Sequence, residues 1–332
     1  MAHLMLMSST ENRQLHGTFA AAGRIEFRVP ISPTQKFFSL VQFYNFALRR
    51  MESRLYRDAR LLVVVGDHCD IDSVRRENKW SENFNVAWER VPDDIFAEFH
   101  WAGTANWRLS IPAGDADLIV LSDADTVLLR DIDPLLADFP TGEPTVRGHM
   151  AHFPPALGTG SVTPPSASAE FWPWLFNEFD IPWPAKTYRY SMDVDGSLPA
   201  SPAYFNFGFV AVNKKAFAIL GSEMIEATRR VAAATGKSFM RCQIALTILA
   251  HRAGMNIGTL PAAYNAANDL AHLRLHGLTA DQIRVLHFLR SDEISRDELQ
   301  PHLIGGFLSR PLTNPANIAL QNLAREYRES QK

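Results

Sequence analysis

The run Asp117–Asp125, DLIVLSDAD, constrains this chain more than any other stretch. Its apolar block, Leu118–Leu121, is uninterrupted, and such runs belong to strands covered on both faces, the usual state of a parallel sheet. The run then ends on two carboxylates. On a continued strand, residues i and i+2 point the same way, so Asp123 and Asp125 are expected to face one site. Two carboxylates held together repel unless something positive lies between them. A hard divalent cation with oxygen ligands resolves that repulsion and also holds diphosphate oxygens. An Asp-x-Asp pair alone is common in solvated loops. Here a buried strand precedes it, and a helix capped by Asp133 and opened by Pro134 follows.

The surrounding pattern alternates strand and helix. Ile25, Phe27 and Val29 alternate with polar neighbours in Arg24–Pro30, as in a strand. A helix follows, with Ser32 as cap, Pro33 at the first position and Gln35 completing a capping box. Leu61–Asp67 reads as a buried strand, Asn85–Val91 as another, and Asn106–Ser110 as a short helix ended by Pro112. Together these predict a mostly parallel, helix-covered α/β sheet. Residues 141–201, rich in Pro, Gly, Ser and aromatics, read as a looped insertion over the carboxyl edge of the sheet, where ligands bind. A strand in Ala203–Asn213 leads into a helix from Lys214. Further helices are expected over Ser238–Ala253 and Asn314–Glu329, with a late strand over Ile283–Leu289. The division expected is a lead-in over 1–23, a nucleotide-binding half over 24–140, an acceptor-side half over 141–290 and a helical extension over 291–332.

Composition excludes several classes. The chain has 332 residues, 46% of them hydrophobic, enough for one large core or two modest domains. A net charge of −3 without basic runs argues against nucleic acid. No stretch approaches the roughly 20 apolar residues of a membrane span. The lead-in has no basic start to mark a secretory signal, and the two cysteines lie far apart, so a reducing cytoplasm is the expected compartment. There is no nucleophile elbow, P-loop or dinucleotide turn.

At the level of motifs, the block Asn106–Leu136, NWRLSIPAGDADLIVLSDADTVLLRDIDPLL, resembles the glycosyltransferases of the GT-A fold. It looks most like the retaining family of glycogenin and bacterial lipopolysaccharide galactosyltransferases. Three further blocks follow in that family's order: Pro202–Phe217 with Asn206, Gly208 and Asn213; Cys242–Gln243 with the later Pro261–Asn265; and His287 in VLHFLR. The resemblance spans Arg24 to about Arg290. It implies a GT-A fold and transfer of a sugar from a nucleotide diphosphate donor, with UDP as the nucleotide, to an unknown acceptor. Asp123, Asp125 and His287 would bind manganese or magnesium. Arg108 would reach the diphosphate or sugar, and Ser122 and Ala124 would help bind the donor alongside the metal ligands. Pro30, Ile31 and Ser32 would line the nucleotide pocket, with Asp67 near the base or ribose. Asn206 and Gln243 would face the donor sugar, Gln243 beneath the anomeric carbon. The chain departs from the family in having Cys242 where the family has an acid, and FLRSDE after the metal histidine, where Arg290 would replace a missing phosphate charge.

Retention of configuration rests on the resemblance alone; an inverting enzyme needs a carboxylate base, for which Asp193, Asp195 and Glu170 stay open. Two other readings also stay open: a nucleotidyltransferase or nucleotide-sugar hydrolase on a similar sheet, and a non-catalytic nucleotide-sugar-binding protein. His149 and His152 read as loop residues, and His272 and His276 as one face of a helix without the glutamate of a zinc-protease motif. Asp193–Gly196 reads as a turn, and Trp172, Trp174 and Trp183 as packing for the loops.

Overall fold

The structure, a computed structural model, describes residues 23–161, 163–288 and 293–332. In chain order, the first half holds β1 (Ile25–Ile31), α1 (Gln35–Arg49), α2 (Arg54–Arg57), β2 (Arg60–Val65), α3 (Ile71–Glu77), β3 (Val86–Arg90), α4 (Asp93–Phe99), α5 (Trp101–Ser110), β4 (Leu118–Ser122), β5 (Thr126–Leu128) and α6 (Asp133–Ala137). The second half holds β6 (Thr145–Met150), α7 (Phe171–Glu178), β7 (Phe205–Asn213), α8 (Lys214–Thr235), α9 (Arg241–Arg252), β8 (Asn256–Thr259), β9 (Ala266–Ala267), α10 (Leu270–Leu275), β10 (Val285–His287), α11 (Ile304–Ser309) and α12 (Pro315–Ser330).

Among the described residues, seven strands form one sheet in the order β3-β2-β1-β4-β7-β6-β8. Only β7 runs against its neighbours, pairing antiparallel with both β4 and β6. The period-two alternation of strands feeds two cores. Phe27, Val29, Val63, Val120 and Phe209 pack on one face with α1 and α12. Leu62, Val64, Ile119, Leu121 and Val210 pack on the other with residues of α5, α7, α8 and α9. No described helix is long and apolar enough to cross a membrane.

Several expectations shift in detail. The cap of α1 is Thr34 rather than Ser32, because β1 continues to Ile31 and Ser32 stays in the bend after it. Ile132, not Asp133, caps α6, and Asp133 is its first residue. The helix expected over Asn106–Ser110 begins at Trp101, directly after a His100 with positive φ. The 141–201 segment is not all loop: β6 lies inside it as a buried sheet strand, with Thr145 capping strand pairing through Asn213. Its sequence, TVRGHM, is too polar to read as a central strand. Gly148 is needed there because a Cβ would sit 2.6 Å from the Phe205 ring. Trp172 is buried and donates to the Tyr190 hydroxyl at 2.8 Å, so it packs the loops, whereas Trp183 is partly exposed.

One feature of β1 reads as polar in the sequence and is buried in the fold. Glu26 and Arg28 face the α5 side, 1% and 0% exposed, and pair with each other. Arg60 adds a second contact to Glu26 at 2.8 Å. Arg28 also donates to the carbonyls of Arg108 and Ile111 and lies over the Phe217 ring. The carboxyl end of α5 is thereby tied to the central strand.

Candidate active site

Because β1, β2 and β4 run parallel, their carboxyl ends share one edge of the sheet. The antiparallel β7 brings its start to the same edge, with Phe209 opposite Ser122. The acidic pair sits there, but not on a strand: β4 ends at Ser122, and Asp123–Asp125 form the turn into β5. The turn is closed by the Thr126 amide and hydroxyl, both donating to the Asp123 carbonyl, at 3.2 and 2.7 Å. The strand-alternation argument therefore does not describe this pair; the turn brings the two side chains together. Ala124 is buried within it, and the Ser122 hydroxyl bonds Thr126 and the Gly208 carbonyl.

A second, three-stranded sheet, β5-β10-β9, delivers the third group. His287 on β10 pairs opposite Thr126, and the Phe288 amide donates to the Asp125 carbonyl at 2.9 Å. Its Nε2 then lies 3.2 Å from Asp125 Oδ1. The other oxygen of Asp125 meets Arg296 Nη1 at 2.8 Å. Arg108 Nη1 donates to the Ser122 carbonyl at 2.9 Å and stands 3.7 Å from Asp123 Oδ1. The guanidinium is fully buried over the Phe207 ring, and its Nε and Nη2 have no hydrogen-bond partner.

Charge in this cluster is divided unevenly. Burial pushes the Asp125 carboxyl up, but His287 and Arg296 outweigh it and hold the group below the usual carboxylate range. Desolvation raises Asp123, the charge of Asp125 adds to that, and Arg108 offsets only part. The arrangement suits a further cation. One oxygen from each aspartate and one nitrogen of His287 lie within 4.8 Å of one another. Two carboxylates and an imidazole are a donor set for a divalent metal such as manganese or magnesium.

The other expected residues fall along the same edge. Pro30, Ile31 and Ser32 end β1, and the Gly66 amide donates to the Ile31 carbonyl. Gly66 has room for no Cβ, which would meet the Thr104 hydroxyl of α5 at 2.3 Å. Asp67 follows in the left-handed region at φ 64, exposed. Asn206 accepts from the Gly208 amide at 2.8 Å and from Asn265 Nδ2 at 3.1 Å. Gly208 lies against His287: a Cβ there would be 2.3 Å from Nδ1. Gln243 occupies the first turn of α9, half-buried. Its neighbour Cys242 donates to the Ala102 carbonyl at 3.2 Å, and burial pushes its thiol up to about 12, so it packs α9 on α5. Arg290 lies outside the described residues. Arg296 was not singled out by the sequence, since nothing in the stretch SDEISRDEL marks one arginine as facing a strand turn 171 positions earlier; it opens a short 3-10 helix, Arg296–Leu299, capped by Ser295.

No protein-family model matches the sequence, and no curated protein matches it either. Solved structures do. The apo structure of the WbbM bifunctional glycosyltransferase superposes with a TM-score of 0.52 at 14% identity, over 86% of this chain and 51% of that one. The chain thus shares the fold of a solved glycosyltransferase. The chain spans about half the length of WbbM. The apo form of mouse xyloside xylosyltransferase 1 is also similar, with a TM-score of 0.46 at 11% identity, over 80% of this chain and 98% of that one. The GT-A-like architecture expected from the motifs is thus the one observed: a mostly parallel sheet with the acidic turn at its carboxyl edge.

Proposed function

We propose that the chain is a metal-dependent glycosyltransferase that moves a sugar from a nucleoside diphosphate donor, a UDP-sugar, to an acceptor. The observation that carries this reading is the convergence of Asp123, Asp125 and His287 at the carboxyl edge of a glycosyltransferase fold. These three would hold the cation, manganese or magnesium. When bound, it supplies positive charge to the diphosphate as the sugar–oxygen bond breaks. Arg108 positions Asp123 and adds charge behind it. Arg296 is more than a third exposed and so can leave Asp125 when the donor and cation arrive. The end of β1 and Asp67 would hold the nucleotide, and Asn206, fixed by Asn265, would meet the sugar together with Gln243.

Retention is the stereochemical outcome proposed. Of the carboxylates open as an inverting base, Asp193 is engaged by Arg189 at 3.2 Å and by the Leu198 amide. The anomeric configuration of the product, read by NMR from the first turnover, tests this.

The donor test is a thermal-shift panel of nucleotides and nucleotide sugars with and without manganese. UDP with manganese should raise Tm, and Asp125→Ala should abolish that shift. An unchanged shift in the variant removes Asp125 as a ligand. Release of nucleoside diphosphate that depends on an acceptor separates a transferase from a hydrolase, and formation of pyrophosphate would instead mark a nucleotidyltransferase.

A further inference from the structure

Four histidines that look unrelated in the sequence meet on the acceptor side of the sheet. His149 lies one residue before the end of β6, His152 follows the strand, His272 is on α10 and His276 caps that helix one turn later. Residues four apart on a helix share a face. The ring of His272 has its centre 4.6 Å from that of His276, 5.0 Å from that of His152 and 5.8 Å from that of His149. One nitrogen from each of His149, His272 and His276 falls within 4.8 Å of the others.

The hydrogen bonds around these rings are arranged from outside. His149 Nδ1 lies 3.2 Å from the Leu260 carbonyl, which accepts only and so fixes the proton on that nitrogen. Its Nε2 is left buried without a partner. His276 Nε2 donates in the same way to the Ser191 carbonyl at 2.8 Å, which leaves Nδ1 as the nitrogen with the free lone pair. His272 is 0% exposed, and among the described residues neither of its nitrogens has a hydrogen-bond partner. A buried imidazole with both nitrogens unmet is costly. His149 and His276 each hand one N–H to a carbonyl and keep the other nitrogen as a free donor, which is what outer-shell partners do to metal ligands, and His272 packs beside them with both nitrogens open.

We infer that His149, His272 and His276 form a second metal site, one for zinc or a similar borderline divalent ion. Three neutral imidazoles suit zinc and not the hard ions expected at the Asp123–Asp125 turn. Tetrahedral zinc at ~2.0–2.1 Å from each nitrogen needs the nitrogens roughly 3.3 Å apart. The three candidate ligand atoms, within 4.8 Å of one another, would draw in toward that spacing as the ion binds. Three ligands leave a fourth position, and the site opens on a cavity of about 400 Å³ that His149 and His276 line with Tyr190, Ser191 and Asp193. Solvent or an oxygen-bearing ligand can enter there. The ion would join β6, α10 and the loop at Ser191, and it shares no residue with the acidic turn.

The test uses the full chain, stripped with chelator, and titrates zinc alone by calorimetry and thermal shift. Asp125→Ala serves as the background, so that binding at the acidic turn is removed. That variant should bind one equivalent of zinc, with Tm raised. Adding His276→Gln, at a partly exposed position, should weaken binding at least tenfold while far-UV circular dichroism stays unchanged. Adding His149→Gln instead should do the same, which keeps the test intact if one variant fails to fold. Cobalt in place of zinc should give visible absorption bands in the Asp125→Ala protein that both histidine variants lose. No zinc binding by the Asp125→Ala protein, or equal affinity after either histidine change, overturns the inference.

Discussion

Replacing Glu26 by glutamine should destabilise the whole protein and loosen the candidate active site with it. Glu26 and Arg28 are buried together on the central strand, with Arg60 closing the second carboxylate oxygen at 2.8 Å. Burial holds the Arg28 guanidinium down at about 10 even with Glu26 beside it, so the buried charge relies on that carboxylate for its compensation. Glutamine keeps the shape and removes the charge. Breaking a buried pair by removing one partner costs about 3–5 kcal/mol, because the remaining charge is left uncompensated. Against a typical total stability of about 5–15 kcal/mol, that is a large share. Equilibrium urea unfolding should show a lower midpoint with an unchanged m value. Because Arg28 also holds the Arg108 and Ile111 carbonyls, the manganese-dependent shift with UDP should shrink as well. Replacing both Glu26 and Arg28 by methionine should restore much of the stability but not the shift. A loss under about 1 kcal/mol for Glu26→Gln would refute the claim that this pair is desolvated and interdependent.

Three other outcomes follow from the same geometry. Gly208→Ala should weaken manganese binding although no ligand is removed, since its Cβ would collide with His287 Nδ1; calorimetric affinity equal to the parent would show that the ring moves freely. Trp172→Ala should cost about 3–5 kcal/mol in urea unfolding, as the loss of a fully buried indole, and a change confined to acceptor KM would make it a sugar-stacking residue instead. Burial lowers the folded pKa of His251 to about 4, below its unfolded value near 6.5, so the unfolded chain binds the extra proton and stability falls as pH drops through that window. The effect, discounted for partial exposure, is on the order of 2 kcal/mol; His251→Phe should flatten the pH dependence of Tm between about 6.5 and 4, and an identical slope would refute it.

Much of this protein was written locally. The apolar run Leu118–Leu121, the strand Arg60–Val65 and the helices capped by Asn213 and Asn314 follow from short-range patterning that needs no distant partner. The motif order from Asn106 to His287 was likewise enough to expect a GT-A sheet with an acidic pair at its edge. Other features depend on what approaches from far along the chain. Strand β6 is central only because β7 and β8 cover it on both edges, so its polar letters mislead. Glu26 and Arg28 look like the outer face of a strand until α5 is laid over them. Asp123 and Asp125 face one site through a turn, and Arg296 joins them from the start of a short 3-10 helix that no periodic pattern marks. The histidines of β6 and α10 are two unremarkable pairs in the sequence and one cluster in space. Local structure is set by interactions within a few residues, which spacing records; a site is set by which edges and faces the topology brings together, which spacing does not.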